Sequence, residues 1–91
     1  YVDGGAAAAL RRGKSLLPAG VTKVAGSFER GDALIVRDAE GLEIARGLSA
    51  YSSADAERLR GRQSAEIETL LGFRGRDEII HRDDLVVTVR D

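Results

Sequence analysis

The chain has 91 residues, 43% of them hydrophobic and 32% charged, with a formal net charge of −1 and no cysteine. One core of this size needs no subdivision, and the lack of Cys excludes a disulfide scaffold, a thiolate zinc site and a cysteine nucleophile together. Near-neutral charge and an aromatic set limited to Tyr1, Phe28, Tyr51 and Phe73 argue against a surface built to stack single-stranded nucleic acid.

Tyr1-Val2-Asp3 reads as the end of a strand cut from something longer. Asp3 is placed to cap a helix over Gly4 to Arg12, in which Ala6 to Leu10 have high helix propensity and Arg11 and Arg12 complement the dipole at the last turn. Gly13 stops it. The only proline, Pro18, followed by Gly20, makes Lys14 to Val21 a tight ordered loop. Val21 to Val24 then reads as a short strand, and Gly26 to Gly31 as a polar turn carrying Phe28.

Ala33 to Val36 is β-branched enough for a buried strand, and Asp38-Ala39-Glu40-Gly41 punctuates it. Leu42, Ile44 and Leu48 fall on alternate positions, apart from Arg46 between them, and so make a second strand pairing antiparallel through that turn. Two short helices follow. The first is opened by Ser52 or Ser53 and closed by Gly61; the second is capped by Ser64, closed by Gly72, and buries Ile67, Leu70 and Leu71 at i, i+3 and i+4. Arg74 to Asp77 is a polar loop, Ile79-Ile80 a short apolar piece, His81 to Asp84 a charged turn and Leu85 to Val89 a last strand. Strand segments outnumber helices, the connections are short, and a small, mainly β barrel with two or three helices is the expected architecture.

Few strings could carry chemistry. Gly13-Lys14-Ser15 matches the tail of a phosphate-binding loop, but the first glycine of that motif would fall on Ala8, and this glycine closes a helix instead of opening one. His81, the sole histidine, lies beside Asp83 and Asp84, which an extended segment would point to opposite sides; a charged turn with His81 bonded to backbone is the simpler reading. No residue qualifies as catalytic or metal-ligating on these grounds. Arg58, Arg60 and Arg62 interleave with Glu57 and Glu66 as helix-surface pairs, and Arg74 and Arg76 flank a loop glycine. The densest basic cluster, Arg11, Arg12 and Lys14, borders a loop whose N–H groups are placed to meet an anion such as phosphate, which makes Arg11, Arg12, Lys14, Ser15 and Gly20 the candidate anion site. No apolar run approaches the ~18 residues of a membrane span and no signal peptide opens the chain, which points to the cytoplasm and to no membrane partner.

Several longer strings agree with one family. Arg12-Gly13-Lys14-Ser15-Leu16-Leu17-Pro18-Ala19-Gly20-Val21, Phe28-Glu29-Arg30-Gly31-Asp32, Ile44-Ala45-Arg46-Gly47-Leu48 with Tyr51-Ser52-Ser53, and Ile80-His81-Arg82-Asp83-Asp84-Leu85-Val86 resemble, in order and spacing, the C-terminal domain of bacterial glutamate 5-kinases. The resemblance covers essentially the whole chain and implies that residues 1–91 form one PUA domain, a compact pseudo-barrel with short helices. It also implies a parent chain that transfers the γ-phosphoryl of ATP, with Mg²⁺, to the side-chain carboxylate of L-glutamate at the start of proline synthesis. ATP and Mg²⁺ would then belong to a kinase domain preceding Tyr1, leaving this domain non-catalytic. The implied partners are that kinase domain and other subunits of a homo-oligomer. PUA domains elsewhere bind structured RNA through the first helix and the loop after it, which here is Ala6 to Gly20.

Overall fold

The computed structural model describes residues 1–73 and 75–88, so Arg74 and the end of the expected last strand at Val89 lie outside the described residues. Asp3 caps the first helix as its sequence requires: its Oδ1 accepts the Ala6 N–H at 2.8 Å, and helix α1 runs Gly4–Arg11. Gly13 ends it at φ +80°, a conformation costly for any residue with a Cβ. Ala7 and Leu10 form its buried side.

Strands β1 (Ala33–Arg37), β2 (Glu43–Leu48) and β3 (Leu85–Val87) form an antiparallel sheet in that order. The β1–β2 turn is held by Asp38, whose Oδ1 accepts the N–H groups of Glu40 and Leu42, with Gly41 at φ +85°. The face of β2 differs from the alternation expected of Leu42, Ile44 and Leu48. Val36 pairs with Ala45 but Arg37 with Glu43, so Ile44 is the extra residue of a β-bulge. Beyond the bulge the facing changes: Ile44 and Ala45 are both buried, whereas Leu42 and Leu48 are exposed. Gly47 then faces inward, directly beneath Ile80 and the Asp84 carbonyl.

The expected strand Val21–Val24 is reduced to one bridge, Val2 to Val21, flanked by Asp3 N–H to Gly20 O and Thr22 N–H to Tyr1 O. The 3-10 turn Pro18–Gly20 bends the chain immediately before it. The three strands accordingly hold fewer residues than the three α-helices. Helix α2 (Ser53–Leu59) is capped by Ser52, while Ser53 accepts the Phe28 N–H instead. Ser64 does not cap the next helical segment. Gln63 does so in a reciprocal box with Glu66, opening a 3-10 turn Ser64–Glu66 that leads into α3 (Ile67–Leu71), because the Ser64 hydroxyl donates to the Asp77 carbonyl. His81 to Asp84 is likewise a 3-10 turn, Arg82–Asp84, so Asp83 and Asp84 are not on opposite sides of an extended segment.

Pairing continues around the core beyond the sheet. Ala50, following β2, donates to Ile79 O; Ile79 donates to Leu16 O and Leu16 to Ile80 O, at 2.8, 2.8 and 2.9 Å. Ile80, Leu59, Leu10 and Ile44 are the largest fully buried side chains and sit where these segments meet α1, α2 and the sheet.

A Cβ on Gly47 would lie 2.6 Å from Ile80 Cγ2 and 2.7 Å from the Asp84 carbonyl oxygen, which belongs to backbone and cannot step aside. Gly47→Ala is expected to lower stability by about 1–3 kcal/mol. Urea unfolding followed by circular dichroism reads this directly, and an unchanged midpoint would show that β3 is free to shift.

Candidate functional site

The loop after α1 is fastened at both ends. Gly13 N–H donates to Leu10 O and Lys14 N–H to Ala9 O, which closes the helix; Leu16 pairs with Ile80; and the Ser15 Oγ accepts the Arg82 N–H at 2.8 Å. Two of the amides that a Gly-Lys-Ser phosphate loop would point at a nucleotide are therefore already committed to helix carbonyls, and these residues do not fit an ATP phosphate site. Gly20 is required by close packing, because a Cβ there would collide with the Ala6 methyl group.

The five candidate residues line two different grooves. Arg11 and Arg12 border a shallow groove with Gly4, Ala7, Ala8 and the acidic hairpin turn Asp38-Ala39-Glu40. Lys14, Ser15 and Gly20 line a second groove with Leu17, Ala19, the α1 alanines Ala6 and Ala9, and three carboxylate residues, Asp3, Asp77 and Glu78. Arg11, Arg12 and Lys14 are all exposed, and among the described residues none of them forms an ion pair. Each group of cations thus faces acidic residues as well as solvent.

Asp77 and Glu78 escape a sequence reading of this groove because they reach it only through the distant pairing of Leu16 with Ile79 and Ile80. The Glu78 Oε2 is buried without a hydrogen-bond partner. The neighbouring segment is held by Tyr51, whose hydroxyl donates to the Arg76 carbonyl and packs so closely on Gly75 that no Cβ could stand there. Burial, reinforced by the charges of Asp77, Glu78 and Asp55, pushes the Tyr51 hydroxyl above its ordinary value near 10.0.

Other charged strings resolve into local pairs. Arg60, the residue that ends α2, contacts Glu57 at 2.6 Å as helical spacing implies, whereas Arg62 lies past the helix in the connection and contacts Glu66 of the following 3-10 turn at 3.9 Å. His81 Nδ1 accepts the Asp83 N–H at 3.1 Å, so that nitrogen is occupied by the 3-10 turn. Among the described residues no three His, Asp or Glu side chains converge as a metal would need, and no helix is long and apolar enough to cross a membrane.

A family model described as PUA domain matches residues 1–71. The chain belongs to the PUA domain family. Its fold is that of solved members: it superposes on a PUA domain from Aeropyrum pernix K1, solved as a tartrate complex, with TM-score 0.64 and 26% identity over 88% of this chain and 39% of that one. A PUA domain protein from Thermoplasma acidophilum gives TM-score 0.60 and 25% identity over 88% and 45% of the two chains. Among curated proteins the chain is similar to glutamate 5-kinases. It is 60% identical over 86 residues to that of Paramagnetospirillum magneticum and 65% identical over 86 residues to that of Nitrobacter winogradskyi. Each match takes in 94% of this chain but 23% of the relative, so the chain spans about a quarter of those enzymes' length.

The raised Tyr51 value fixes the sign of an alkaline effect. The native state holds the proton while the unfolded chain releases it, so stability is full below pH 10 and falls as pH rises from there through the folded value. Tyr51→Phe is expected to lose about 1 kcal/mol at pH 8 with the Arg76 hydrogen bond. Its deficit should shrink above pH 10, where wild type alone is penalised. Urea midpoints at the two pH values test this, and a deficit that does not narrow would contradict it.

Proposed function

We propose that this chain is the accessory module of a glutamate 5-kinase and acts through contacts with the kinase domain or with other subunits of a homo-oligomer. The observation that carries this reading is identity of 60–65% running over 94% of the chain, to enzymes of which it makes up only 23%. On this reading the parent enzyme is cytoplasmic. It moves the γ-phosphoryl of ATP to the side-chain carboxylate of L-glutamate, releasing ADP and forming L-glutamyl 5-phosphate, the first intermediate of proline synthesis. ATP and Mg²⁺ are held by the kinase domain preceding Tyr1, and residues 1–91 contribute no reacting group. The committed amides of Gly13 and Lys14 and the occupied Nδ1 of His81 support that division of labour.

The test compares the full-length enzyme with a form ending before Tyr1. Phosphorylation of glutamate should persist in the shortened enzyme, with altered oligomeric state, kinetics or inhibition by proline. If all three are unchanged, the accessory role is wrong.

One observation favours a second reading, binding of structured RNA: the exposed Arg11, Arg12 and Lys14 have no ion pair among the described residues. The carboxylates in both grooves and a net charge of −1 weigh against it. Titration with a tRNA-like RNA at two salt concentrations separates the readings, since each neutralised phosphate adds roughly 0.7–0.9 to the log–log salt slope. Binding that steepens with dilution of salt and weakens in Arg11→Ala or Lys14→Ala would support it; no binding at low salt removes it.

A further inference from the structure

Among the described residues, the outer face of the sheet keeps large aliphatic side chains exposed. Pairing sets Ala33 opposite Leu48 and places Ile35, Arg46 and Val86 in one cross-strand row. Ile35, Leu48 and Val86 are 47%, 48% and 66% exposed. At the centre, Arg46 is bound by both oxygens of Glu43, at 2.9 and 3.0 Å, which holds the Glu43 carboxyl below its ordinary range. The face therefore offers aliphatic surface around an internally neutralised ion pair, a composition suited to protein and not to a polyanion.

From this face we infer a docking surface for the kinase domain of the same polypeptide, an inference that rests on the function proposed above. Two observations select that occupant. Three partly exposed aliphatic side chains, Ile35, Leu48 and Val86, fall far short of the ~800 Å² that each partner buries in a freely associating complex. A second copy held by this face alone would separate, whereas a covalently tethered domain is presented at millimolar effective concentration and needs no such area. The point of tethering also fits: Val2 N–H donates to Arg37 O at 2.9 Å, so a chain preceding Tyr1 enters beside the end of β1, one pleat from Ile35. The remaining three-quarters of a glutamate 5-kinase is thereby delivered to the rim of the exposed face.

The full-length enzyme with a photoreactive benzophenone amino acid in place of Val86 tests this, with the same label in place of exposed Thr69 on α3 as control. The expected product is an intrachain crosslink from position 86 to a segment preceding Tyr1, absent from the Thr69 control. Its yield should fall by at least about tenfold when Ile35→Asp and Leu48→Asp are added, because a charge at a dry contact costs more than the 1.4 kcal/mol that a factor of ten represents. The labelled wild type decides the matter even if that double variant fails to fold. Crosslinks joining two copies, crosslinks to RNA, or a yield equal to the control would overturn the assignment. An active glutamate 5-kinase lacking the intrachain crosslink refutes the surface alone, and a full-length chain that does not phosphorylate glutamate refutes the proposed function whatever the crosslink map shows.

Discussion

The structure hangs on the meeting of Leu16 with Ile79 and Ile80. Backbone bonds of 2.8, 2.9 and 3.4 Å tie the loop after α1 to the segment before β3, and the Ser15 hydroxyl adds a further tie, 67 residues distant in sequence, through Arg82 N–H. Ile80 has no solvent exposure and rests on the bare backbone of Gly47. Were either residue larger, β3 could not approach β2 and the sheet would lose its third strand. The same clamp aligns Asp77 and Glu78 with Lys14 and Ser15, so the charge of the groove is a by-product of how the core closes.

Features governed by neighbouring residues were legible in the sequence. Asp3 and Gly13 bound α1, Asp38 and Gly41 make the hairpin, and Ser52 opens α2, each through an interaction spanning a few residues. The bulge at Ile44 was not, since it depends on which residues of β1 and β2 pair, and a single extra residue moves Leu48 to the other face. Ser64 reads as a cap in the sequence, but its hydroxyl is taken by the distant Asp77 carbonyl. For the candidate site, sequence proximity groups Arg11, Arg12 and Lys14, whereas in the structure Arg11 and Arg12 line one groove and Lys14 another.

That division bears on how a shared fold supports different work. A phosphate-binding surface requires cations that converge and amides left free to donate. Here Arg11 and Arg12 line one groove and Lys14 another, each groove also carries carboxylates, and the amides of Gly13 and Lys14 finish the helix. Membership of the PUA family fixes the scaffold, and the charge placed on it decides what the scaffold can hold.

Small size gives the exposed sheet face a second significance. A domain of this length buries only about 60–68% of its unfolded surface, leaving a narrow margin of stability. With no cysteine, the remaining routes to greater stability are better packing and association. Covering Ile35, Leu48 and Val86 with a tethered domain would turn half-exposed aliphatic area into buried area, at roughly 25 cal/mol for each Å² removed from water. The two parts would then unfold as one cooperative unit, and any ligand that tightened the kinase domain would be felt through the sheet as added stability of residues 1–91. On the docking proposed above, a contact too small to hold two free molecules together would be large enough to couple two parts of one.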